Sequence, residues 1–91
     1  MEATVRGLIE KEIDDLISPE FLKVEIELFK SRFPHKSIED CLFGFIVGAA
    51  FMRFMSITQR TWTKEKALEL WKIIDRRTME IKGNIKLALG K

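Results

Sequence analysis

An all-α fold, four helices packed around one central helix, is what this 91-residue sequence predicts. Three observations lead there. The stretch from Ile38 to Ile57, IEDCLFGFIVGAAFMRFMSI, reads as a single helix that is apolar on every side, with no polar side chain between Cys41 and Met52. Apolar residues elsewhere recur at helical spacing. Between these segments stand Ser-Pro, Pro-His and Ser/Thr signals that start and stop helices.

The first helix is expected over about Thr4 to Ile17, with Thr4 as N-cap. Val5, Leu8, Ile9, Ile13, Leu16 and Ile17 form its stripe. Ser18-Pro19 ends it and begins the next. Ser before Pro is biased away from helix, yet Ser as N-cap with Pro at the first helical position is a favoured start. The first two helices therefore meet at a corner without a linker.

The second helix is expected over Pro19 to Phe33. Leu22, Val24, Ile26 and Leu28 also alternate as a strand would. The helical start signal, the poor strand propensity of the intervening Glu and Lys, and the lack of a nearby partner strand decide for helix. Pro34-His35-Lys36 forms the turn. Ser37-Ile38-Glu39-Asp40 resembles a capping box, with Asp40 where Glu or Gln usually stands. The third helix then runs to about Thr58. The fourth starts at Thr61 or Thr63 and runs to about Leu89, with Ala67, Leu70, Trp71, Ile74, Thr78, Ile81, Ile85 and Ala88 as its stripe. Gly83 is its weak point.

A chain of this length is one domain, residues 1–91, and buries only about 60–65% of the surface its unfolded form exposes. The three other helices have to cover a fully apolar one and shelter seven Phe and two Trp. Some apolar surface is expected to remain, which marks an interface, so dimerisation is expected to complete the fold. Gly44-x-x-x-Gly48 makes a groove of small residues. With Cys41, Phe51, Met52 and Met55 it is either a homodimer seam or ordinary intrachain packing. A membrane span is disfavoured: the uninterrupted apolar run is twelve residues, about 20 are needed, and Arg53 interrupts the extension. A soluble, cytoplasmic protein is the expectation. Cys41 is the sole cysteine, which suits a reducing compartment, and the start of the chain lacks the pattern of a signal peptide. The scarcity of Asn and Gln among many Lys, Glu, Arg and Ile hints at a thermophile.

Charge is divided. Residues 1–45 carry six Lys/Arg and ten Asp/Glu; residues 46–91 carry ten and four. The two halves are expected to attract each other within the chain or between chains. The competing use is nucleic-acid binding through Arg60, Lys64, Arg76, Arg77 and Lys82 near Trp62. Glu65, Glu69, Asp75 and Glu80 interrupt those bases, and Arg76/Glu80 and Lys72/Asp75 read as surface pairs.

Glu12, Glu25, Arg32 and Arg53 fall inside apolar stripes and are candidates for buried polar groups. Arg53 is expected to pair with Glu12 or Glu25, since an unpaired buried charge is very costly. A polar ligand site at Glu12, Glu25 and Arg53 is the remaining alternative. His35 is the only histidine, so the two Glu-x-x-His units of a di-metal bundle site are impossible. A Cys41–His35 dyad is conceivable, but the neighbours Leu42, Phe43 and Phe45 favour an inert thiol. No phosphate loop or nucleophile elbow is present. No metal, cofactor or catalytic residue is expected. The functional expectation is a non-enzymatic protein-interaction or regulatory module that associates with itself, with another protein as a further candidate partner.

Overall fold

The computed structural model describes residues 2–33, 37–58 and 63–90. They form four helices: α1 (Ala3–Leu16), α2 (Pro19–Arg32), α3 (Ile38–Ile57) and α4 (Lys64–Ala88). The chain measures 38 × 21 × 19 Å along its principal axes. That is about the length of α4 at 1.5 Å per residue.

Caps decide most of the boundaries. The Ser18 hydroxyl accepts from the Phe21 N–H at 3.3 Å, with Pro19 in the first turn. Ser37 accepts from Asp40 N–H at 3.3 Å, and Thr63 from Lys66 N–H at 3.1 Å. Each satisfies a donor that the first helical turn leaves open. Of the two starts considered for α4, Thr63 is the one used. Thr4 is not the cap of α1; the chain enters the helix at Ala3, with Glu2 in the cap position and no side-chain bond there. At the far end Gly90 takes φ +81°, and its N–H reaches the Leu87 carbonyl at 3.1 Å. Only glycine adopts that conformation without strain.

α3 and α4 run antiparallel. The Lys82 ammonium lies 5.0 Å from the centre of the Phe43 ring, while Phe51 and Trp71 rings meet at 5.0 Å. α1 runs alongside α4 in the same direction. Arg6 pairs with Glu69, Glu10 with Arg76 and Arg77, and the Ile17 carbonyl accepts from the Asn84 amide at 3.2 Å. α2 crosses the first half of α3, where Phe21 and Phe29 both pack on Phe45 at 6.2 and 5.5 Å.

The core lies between these elements. α1 gives Ile9, Ile13 and Leu16, α2 gives Leu22 and Ile26, and α4 gives Leu70, Ile73, Ile74, Ile81 and Ile85. α3 gives Leu42, Ile46, Ala50 and Phe54 as its fully buried residues, with Phe43, Val47, Ala49, Phe51 and Met55 partly buried against the core. The expectation that some apolar surface of α3 stays exposed is met, because full burial is confined to the first four. These four residues are spaced by four, so they form one stripe along the helix. Trp71, expected in the α4 stripe, is 45% exposed at the border of α3. Ile73 takes its place because α4 is wedged between α1 and α3 and buries a wider arc.

Gly83 has no packing role that a methyl group would disturb, since a Cβ there meets nothing within 4 Å. Gly83→Ala is expected to raise stability by about 0.5–1 kcal/mol through backbone entropy alone. Urea unfolding measures it, and a lower midpoint would contradict the open space seen at this position.

Candidate functional site

Successive residues of a helix are turned by about 100°. With Leu42, Ile46, Ala50 and Phe54 facing inward, the opposite arc of α3 holds Cys41, Gly44, Phe45, Gly48, Phe51, Met52 and Met55. None of these carries a charge. Gly44, Phe45, Gly48 and Met52 are exposed, Met52 by 72%; Cys41, Phe51 and Met55 are half-buried. A Cβ added at Gly44 or Gly48 meets nothing within 4 Å. The two glycines thus serve no close packing within the chain among the described residues. The strip is bordered by Phe21 of α2 and by Trp71 of α4, which packs against Phe51.

All six of the predicted interface residues lie on this face. Phe45 lies there too, three residues before Gly48 and so on the same side of the helix. α3 is also long and apolar enough to cross a membrane by length and composition. Only 22% of its most apolar window, of mean hydropathy 1.6, is buried inside the chain.

The four buried-polar candidates are not buried, and among the described residues no polar or charged side chain is. Glu25 is half-buried; Arg32 is exposed. Arg53 does pair with Glu12, at 3.4 Å, but their side chains are 59% and 32% exposed. Long stems carry both heads to the rim, where water solvates them. Such a pair contributes about 0–1 kcal/mol, well below the value of a buried one. Glu12, Glu25 and Arg53 are therefore not a buried polar cluster.

The charged group that does matter was assigned elsewhere by the sequence. Arg77 is 11% exposed and bound by three carboxylates. It donates to Glu10 Oε1 at 3.1 Å, to the Glu10 carbonyl at 3.0 Å, to Glu80 at 2.9 and 3.1 Å, and to Asp14. The hydrogen bonds that Arg77 donates to Glu80 and Asp14 hold the guanidinium charged against the opposing effect of burial. In return, Arg77 holds the Glu80 carboxyl below its ordinary range. Arg76 pairs with Glu10 and not with Glu80 as expected. The signal was present: Arg77 lies seven residues after Leu70 and four before Ile81, on the apolar arc of α4.

The acidic and basic halves of the chain thus meet between α1 and α4. Of the nucleic-acid candidates, Arg76 and Arg77 are engaged there. Lys82 lies over Phe43, Lys64 is exposed at the start of α4, and Arg60 falls outside the described residues, as do Trp62 and His35. Among the described residues, no group of three or more His, Cys, Asp or Glu is placed to hold a metal ion. Cys41 is half-buried on the apolar face. Comparisons with protein-family models, curated proteins and solved structures find no match.

Proposed function

We propose that this protein is a non-enzymatic, self-associating helical module, and that the uncharged face of α3 is where it associates. The observation that carries the reading is the exposure of that face: an apolar strip running from Cys41 to Met55, within which Met52 is 72% exposed. Contiguous exposed apolar surface of this kind marks an interaction site. A second copy is the occupant best suited to it, as two-fold association is the commonest way for a chain to cover its own apolar surface. A cytoplasmic location goes with this reading. Nucleic acid is not the primary partner in it, because Arg77 is already neutralised by Glu10, Asp14 and Glu80.

Light scattering at micromolar concentration tests the proposal. The expected mass is that of a dimer. Met52→Glu is expected to weaken association by on the order of 100-fold, or about 2.7 kcal/mol, by placing an ion in a dry seam. Its helical circular dichroism should be unchanged, since Met52 makes no core contact. A monomeric wild-type protein, or a Met52→Glu variant that associates as well as wild type, would overturn the reading.

A further inference from the structure

The seven residues of the exposed face, like Leu42, Ile46, Ala50 and Phe54 of the core stripe, are placed symmetrically about position 48. Reversed about Gly48, the set maps onto itself. Cys41 exchanges with Met55, Gly44 with Met52, Phe45 with Phe51, and Gly48 with its own image. In each exchange that involves unequal side chains, a small one meets a large one. We propose that a second copy of this chain lies antiparallel on α3, with the two-fold axis passing through Gly48.

The inference rests on self-association through α3 as argued above, and adds its geometry. In an antiparallel pair, residues equidistant from the axis face each other. Met52 then fills the space over the partner's Gly44, and Met55 packs on the partner's Cys41. Phe45 meets the partner's Phe51 beside Trp71. The axis falls where no side chain intervenes, so the two backbones approach most closely at Gly48. No other antiparallel register returns the whole set to itself, so any shift leaves part of the strip overhanging water. Because the seven residues carry no charge, no ion is buried between the two α3 helices.

The area is sufficient. Cys41 to Met55 spans about 21 Å at 1.5 Å per residue. With α2 and α4 flanking α3 at about 8–10 Å on either side, the face covers roughly 400 Å² in projection. Both copies together then bury on the order of 1,000 Å² of accessible surface, the lower bound for a specific interface. Lipid is the less fitting occupant. To span a bilayer, α3 would carry the ionic faces of α1, α2 and α4 into hydrocarbon with it. Glu39 and Asp40 at its N-terminal end would be repelled by an anionic membrane surface.

Disulfide trapping of the full chain under mild oxidation tests the geometry. In the proposed pair the two Cys41 residues are fourteen positions apart along the axis, about 21 Å, far beyond the roughly 7 Å limit between bridged Cα atoms. Wild-type protein should therefore stay unlinked. Met55→Cys with Cys41 retained should yield a covalent dimer, while Met55→Cys with Cys41→Ser should not. A second pair, Gly44→Cys with Met52→Cys in the Cys41→Ser background, should link equally well. Gly48→Leu should lower the association constant at least tenfold without loss of helix, because a Cβ at this position meets nothing within 4 Å in the single chain.

Ready linking of wild-type Cys41 to its copy would show a parallel pair and overturn the geometry while leaving self-association intact. A dimer by light scattering that no cysteine pair traps would do the same. A monomer that binds vesicles of zwitterionic lipid, seen as a blue shift of tryptophan fluorescence, would overturn both the geometry and the reading beneath it.

Discussion

Phe54→Ala is expected to destabilise the fold by about 3–5 kcal/mol, the usual cost of emptying a fully buried aromatic site. Phe54 is 0% exposed and is the largest of the fully buried side chains. Domains of this size have a total stability of only about 5–14 kcal/mol, so the variant should be partly unfolded at moderate temperature. Met52→Ala, two residues away on the same helix, should change the stability of the single chain by less than about 0.5 kcal/mol, because Met52 is 72% exposed. Urea unfolding measures the contrast. It is best carried out at concentrations low enough that association does not contribute, since any dimer adds stability by mass action. Equal costs at the two positions would mean that α3 is buried on both sides.

Arg77→Met should cost about 2–3 kcal/mol. The guanidinium serves three carboxylates and one carbonyl, and charged hydrogen bonds of this kind contribute about 1.5–3 kcal/mol each when isolated from water. The sum is discounted because Asp14 and Glu80 are 61% and 52% exposed and regain water when Arg77 is lost. Arg77→Lys should recover only part, as an ammonium cannot reproduce the planar fork that spans Glu10, Asp14 and Glu80. Arg76→Met, at the neighbouring position, should stay within about 0.5 kcal/mol, since Arg76 is 62% exposed.

A pH dependence accompanies this. Glu80 is held below its ordinary value in the folded state, chiefly by its hydrogen bond from Arg77. Its contribution is therefore present above the unfolded carboxylate value of about 4.3 and is lost as pH falls through the lower, folded value. Stability should decline with acid below about pH 4.3, and Arg77→Met should make that decline shallower. An acid limb identical in the two proteins would show that the Arg77 cluster adds nothing to it.

Much of this was legible in the sequence because it is local. Ser18-Pro19, Ser37 and Thr63 set helix starts through bonds to residues three positions on, and such bonds need no knowledge of the rest of the fold. The periodicity of Ile9, Ile13 and Leu16, or of Leu70, Ile74 and Ile81, names the buried side of a helix for the same reason. α3 offered no such clue. A helix apolar all round has no preferred face, so the sequence could say that it must be covered but not on which side. The placement of α1, α2 and α4 decided that: Leu42, Ile46, Ala50 and Phe54 inward, Gly44 and Gly48 outward.

Charge followed the same division. The sequence alone established a helical chain with an acidic first half, a basic second half and more apolar surface than three companion helices cover. It ranked Arg53 above Arg77 as the cation in need of a partner, because Arg53 stands alone among apolar neighbours while Arg77 stands among other charges. The tertiary structure reversed that order. Burial and partners are set by which helix lies alongside: α1 runs parallel to α4 and brings Glu10 and Asp14 onto Arg77, whereas Arg53 meets Glu12 of α1 at the rim, where water still reaches both heads. Electrostatic energy depends on distance and solvent exposure, and neither is a property of position along the chain.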